Sequence, residues 1–153
     1  MSNLPREDSN ACPTSKLPKS SNSPRPTRAL LSIRPEYVEK IVAGTKSFEL
    51  RRVIFAPTVS TVVVYVTAPI KHVVGEFATG RVLSLPPEAL WEEVKAGAGV
   101  NRERFMTYFA GCQVGHAIEI RSFTKYPAPL PISDFSVRPP QSFVYLRKGS
   151  GHR

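Results

Sequence analysis

From residue 28 onward, apolar positions recur with a period that changes from segment to segment. Ala29-Leu30-Leu31-Ser32-Ile33 is apolar enough for a short strand. Pro35 then suits a first helical position, and Tyr37, Val38, Ile41 and Val42 fall on one helical face. Gly44 closes that helix as its C′ residue. From Ser47 to Arg52 the period drops to two, which predicts a strand with Phe48 and Leu50 inward. Thr61 to Thr67 is strongly β-branched and predicts a buried strand. Val73 to Leu85 reads as a longer strand, bent at Gly80. Pro86-Pro87 ends it and opens a helix over Glu88 to Ala96. Asn101 is a good N-cap for a second helix reaching Ala110, closed by Gly111. Ala117 to Phe123 alternates again, Lys125 to Pro140 reads as a proline-rich connection, and Ser142 to Arg147 as a closing strand. Short strands with helices inserted between them predict an α+β fold, a small barrel with peripheral helices.

Composition bounds this picture. The chain has 153 residues, enough for one domain with a real core. Residues 1–27 are rich in proline and serine and poor in large apolar side chains, so a disordered N-terminal tail is expected there. The ordered domain spans 28–147, and 148–153 read as a frayed C-terminus. The formal net charge of +9 favours anionic partners, of which nucleic acid is the commonest. No apolar run approaches the roughly 20 residues of a membrane helix. The N-terminus lacks the apolar core of a signal peptide. Two cysteines, Cys12 and Cys112, do not amount to a disulfide framework, which makes a reducing, cytoplasmic setting the default.

The candidate chemistry is concentrated in Gly44-Thr45-Lys46-Ser47-Phe48-Glu49-Leu50-Arg51. Glu49 and Arg51 are two apart and share one side of a strand, with Lys46 at the turn into it. A cation, a carboxylate and a guanidinium projecting together suit a phosphate or a polar base edge. Lys46 can clamp a phosphate or, if desolvated, act as a base; the competing reading is a solvated turn lysine. Glu49 can read a base amino edge or take a proton, or simply pair with Arg51 or Arg52. Arg51 suits bidentate contact with phosphate or carboxylate. Glu76 lies in an apolar strand, where inward placement would raise its pKa and make it an acid-base candidate. Arg34, at a helix start, is a candidate for the rim of a cleft. Tyr65 and Tyr145 can stack a base, although strand tyrosines more often serve the core. Thr67 and Ser142 are hydroxyl candidates at strand ends. Cys112 and His116 are four apart but gather no further ligands, so no metal or other cofactor is expected.

These segments, in their order, resemble the ASCH domain, a member of the PUA-like β-barrel superfamily. The resemblance rests on Leu30-Leu31-Ser32-Ile33-Arg34-Pro35-Glu36-Tyr37, on Gly44-x-Lys46-x-x-Glu49-x-Arg51 and on Tyr65-Val66-Thr67-Ala68-Pro69. It extends to Val74-Gly75-Glu76-Phe77 and Pro140-Gln141-Ser142-Phe143-Val144-Tyr145-Leu146. It implies a PUA-like barrel with peripheral helices and a basic cleft that binds RNA or a nucleotide, in RNA metabolism or regulation. Arg34, Lys46, Glu49, Arg51, Tyr65, Thr67, Ser142 and Tyr145 are the binding candidates on that view.

Some members of the family are enzymes, and others carry only the label of transcriptional regulator. One branch hydrolyses the amide of acetylated cytidine with a Lys, a Thr and a Glu; another is linked to cleavage of single-stranded RNA. The lysine of the first branch falls on Lys46 and its acidic residue is matched to Glu76. Its threonine falls on Glu49, and a carboxylate there offers different chemistry from a hydroxyl nucleophile. The alternative to a binding module is therefore a metal-independent hydrolase of RNA or of a modified nucleoside. It would be centred on Lys46, with Glu49 or Glu76 as acid-base partner.

Overall fold

The computed structural model describes residues 26–147; the expected N-terminal tail up to residue 25 and the C-terminal residues 148–153 lie outside the described residues. The elements run β1 (Arg28–Ile33), α1 (Pro35–Ala43), β2 (Phe48–Arg51), β3 (Thr61–Val66), β4 (His72–Leu85), α2 (Pro87–Val94), α3 (Arg102–Tyr108), β5 (Gly115–Leu130) and β6 (Phe143–Tyr145). A 3-10 turn at Ile132–Phe135 precedes β6. The strands form one six-stranded sheet in the order β2-β5-β4-β3-β1-β6. Only the β1–β3 pair is parallel. Such a pair needs a crossover connection, and α1 lies in the one between them. Among the described residues no helix is long and apolar enough to cross a membrane.

Three apolar clusters hold the sheet. On one face Leu31, Ile33, Val62, Val64, Val66, Phe77 and Ile118 pack under α1, through Val38 and Ile41, and under Phe55 and Val59 of the segment after β2. Burying side chains of this size contributes roughly 1.5–3 kcal/mol each. The opposite face carries two clusters. Leu30, Val63, Tyr65 and Val73 pack against Phe135 and Leu146 at one end. Phe48, Ala117, Leu90, Val94, Phe105 and Phe109 join the other end to α2 and α3. Trp91, partly buried against this cluster, packs on Phe105 with ring centroids 5.0 Å apart.

One strand departs from the sequence pattern. β5 does not stop at Phe123 but continues to Leu130, through the stretch expected to be a connection. Pro127 and Pro129 fall between Lys125 and Leu130, where the register with β4 shifts. A residue without an N–H is tolerated at such an irregularity. The expected bend at Gly80 coincides with a second shift, between Thr79 and Val82.

The sheet is curled enough to bring its two edges together. β2 is one edge, and Ser142 immediately precedes β6, the other. Arg51 of β2 donates a hydrogen bond to Ser142 Oγ at 2.8 Å. This side-chain contact spans the seam between the edges. Tyr145 on β6 reinforces the same region: its hydroxyl accepts the backbone N–H of Ala56 at 3.0 Å. Its ring packs edge-on against Phe143.

Candidate functional site

Lys46 owes its position to the end of α1. Gly44 takes φ 85° as the C-terminal cap. The N–H groups of Gly44 and Thr45 return to Ile41 O and Lys40 O, which reverses the chain sharply. The side chain that follows is driven inward and is 3 % exposed. Its ammonium donates to Ala98 O at 2.6 Å and lies over the Tyr37 ring, 5.1 Å from the centroid.

The acceptor belongs to a strap between α2 and α3. Gly97 O receives the N–H groups of Ser47 and Phe48, Ala98 O receives Lys46, and Gly99 O receives Lys40 Nζ at 2.8 Å. Gly99 has φ 76°, and a Cβ there would sit 2.8 Å from Lys46 Cγ. Gly99→Ala is therefore expected to destabilise the fold by about 1–3 kcal/mol, measured by urea denaturation. It should also displace the lysine stem.

Glu49 and Arg51 face the α1 side of the sheet, and the structure buries them. They are 5 % and 6 % exposed. Arg51 Nη1 donates to Glu49 Oε2 at 2.9 Å, while Nη2 holds Ser142. The inward Phe48 and the neighbouring Leu50 face the helices α2 and α3 instead, so β2 is covered on both sides. Burial pushes the Lys46 pKa below the ordinary lysine range, Glu49 opposes this, and Lys40 and Arg51 add to it. Tyr108 at the end of α3 comes within electrostatic reach of Arg51 and Glu49; burial pushes its phenol up. Three buried ionisable groups in contact or near-contact are costly to fold around. Such groups are enriched at functional sites.

Next along the sheet stands His116, 7 % exposed, with Nδ1 2.8 Å from Ser84 Oγ. Burial lowers its pKa. An unfolded-state histidine binds its proton more readily, so stability should decline as pH falls through about 6.5 and below. His116→Gln should flatten that dependence in thermal melts.

No family model matches the chain. A relative from Zymomonas mobilis subsp. mobilis named "ASCH domain-containing ribonuclease" is 29 % identical over 126 residues, covering 78 % of this chain and 84 % of that protein. The crystal structure of ASCH from Zymomonas mobilis matches with a TM-score of 0.73 at 28 % identity, over 80 % of this chain and 89 % of that one. The chain is similar in sequence and in fold to these ASCH domain proteins. A mutant of the Zymomonas mobilis protein gives the same TM-score, 0.73, at 27 % identity, over 80 % of this chain and 91 % of its own.

The fold brings together only part of the expected set. Lys46, Glu49, Arg51 and Ser142 form one cluster. Glu76 does not join it, because its β3 partner Val63 packs in the cluster on the opposite face. There Glu76 Oε1 accepts the Tyr126 hydroxyl at 2.7 Å. The acid-base pairing of Glu76 with Lys46 is thus corrected by strand alternation. Tyr65 is core on that same opposite face, 5 % exposed, and offers no stacking surface. Thr67 makes the turn after β3, its carbonyl accepting Ile70 N–H at 3.2 Å. Tyr145 lies on the α1 side, where its hydroxyl ties down residue 56. Arg34 caps α1 without a side-chain cap bond and pairs with Glu36 at 3.1 Å.

Residues at the site that the sequence did not single out for it are Tyr37, Tyr108, the Gly97–Gly99 strap and His116. Two glycines flanking one alanine between helices were the available signal of a close backbone approach. No group of three or more potential metal ligands occurs among the described residues. Cys112 is buried and is not a free thiol, and Cys12 lies outside the described residues. The cysteine-based expectation of a reducing compartment gains no support from this.

Proposed function

We propose that this chain cleaves single-stranded RNA at a phosphodiester bound against the Lys46–Glu49–Arg51 cluster. The observation that carries the proposal is a buried lysine within electrostatic reach of the buried Glu49–Arg51 pair, in a chain similar to a named ribonuclease. Arg51 supplies a planar donor array for the phosphate. Lys46, with its pKa lowered by burial, is a better proton donor than an ordinary lysine. Glu49 fixes the guanidinium and offsets the charge of both cations.

The depth of the three side chains supports a small ligand, one nucleotide with its phosphate, as the part recognised there. Amide hydrolysis is less well supported. The position of the nucleophilic threonine is held by Glu49, and its carboxylate is engaged by Arg51. The test is incubation with end-labelled single-stranded RNA over a range of salt, with and without a chelator. Cleavage that weakens with rising salt is expected, because phosphate contacts release counterions. RNA bound in a salt-sensitive way but recovered intact would make the protein a binding module instead.

A further inference from the structure

The strand row that carries Arg51 continues into chemistry that the lysine cluster does not use. Arg51 pairs in register with His116 of β5, and His116 with Ser84 of β4. Residues paired across a ladder project to the same face, with Cα atoms roughly 5 Å apart. Arg51, His116 and Ser84 therefore stand side by side. The charged groups facing this row from β2 are Glu49 and Arg51. β4 contributes Val82 and Ser84, and β5 itself contributes Ile118, since Glu49, Ile118 and Val82 form the adjoining row.

His116 is buried while Ser84 is exposed. The hydrogen bond between them engages Nδ1 alone. With the hydroxyl oxygen as acceptor, Nδ1 carries the proton and Nε2 presents a lone pair. Burial keeps the ring neutral near pH 7, as a proton acceptor must be.

We propose that His116 is a further catalytic residue of this site, the base that removes the ribose 2′-hydroxyl proton, with Ser84 fixing its tautomer. The inference rests on the RNA-cleavage reading above. The 2′ oxygen forms a bond to the adjacent phosphorus and its proton passes to His116 Nε2. The bond from phosphorus to the 5′ oxygen breaks, and Lys46 protonates the departing oxygen. The products are a 2′,3′-cyclic phosphate and a 5′-hydroxyl. Water then returns a proton to Lys46 and takes one from His116. Ser84 acts through the imidazole and is a positioning residue.

The experiment measures kcat and KM for a labelled RNA oligonucleotide across pH 5 to 9, with wild type, His116→Gln and Ser84→Ala. A matching oligonucleotide with a single 2′-deoxy sugar at the cleaved position serves as control. His116→Gln should lower kcat by roughly a hundredfold to ten-thousandfold with KM little changed, and should abolish the acidic limb of the profile. Ser84→Ala, at an exposed position, should move that limb while the fold persists. The deoxy oligonucleotide should bind without being cut.

Should His116→Gln fail to fold, Ser84→Ala decides. An unmoved pH profile overturns the inference and a moved one supports it. Wild-type cleavage with an unaltered profile in the folded His116→Gln variant also overturns the inference, and leaves the RNA-cleavage reading standing. Wild type that cuts the deoxy oligonucleotide equally well overturns it too. Binding without cleavage by wild type overturns both.

Discussion

Lys46→Met should lower turnover of single-stranded RNA by about a thousandfold while leaving thermal stability unchanged or raised. The two halves have different causes. Loss of turnover follows from removing the ammonium proposed as proton donor and phosphate ligand. The stability half follows from desolvation, which already disfavours the charged lysine in the folded state. Methionine has a similar length and packs against Tyr37 and Gly99 without that penalty. Glu49 is not stranded by the change, because Arg51 remains bonded to it at 2.9 Å. Single-turnover kinetics beside a thermal melt measures both. Full turnover in the variant would remove Lys46 from the mechanism. A collapse of stability would show that the bond to Ala98 O outweighs the burial cost.

Arg51→Met should do the reverse and damage the fold first. It leaves a carboxylate buried with its guanidinium partner gone, and breaking one side of a buried pair typically costs about 3–5 kcal/mol. It also removes the hydrogen bond to Ser142, so the seam between β2 and β6 loses its side-chain link. Urea denaturation should show the loss, and adding Glu49→Gln should recover a large part of it. The double variant should be inactive, because the guanidinium proposed to hold the phosphate is gone. A single variant as stable as wild type would mean that Glu49 finds another partner or water.

Much of the architecture was legible because local signals and tertiary needs agreed. Pro35 and Gly44 bound α1 as expected. Asn101 caps α3 through its side chain on Arg104 N–H at 2.8 Å. The β-branched run at Thr61 is a central strand. The Lys46–Glu49–Arg51 grouping was visible because two of its members share one strand face. What was not legible depended on the partner strand. The face on which Glu76 lies is set by its register with Val63, which the residues near Glu76 do not encode. The continuation of β5 past Phe123 was hidden by Pro127 and Pro129, whose missing N–H groups matter only where β4 pairs in regular register. The neighbours of His116 on its face, Ser84 and Arg51, are not near it in sequence.

The anchor of Lys46 has an evolutionary corollary. Because the acceptor is the main-chain oxygen of residue 98, no exchange of that residue's side chain can delete it. The neighbouring glycines are instead the vulnerable positions. Substitution there strains the backbone at Gly99 or crowds Ser47 at Gly97. Drift among related chains should therefore preserve the lysine's orientation through small residues in a short connector, rather than through any polar side chain opposite it.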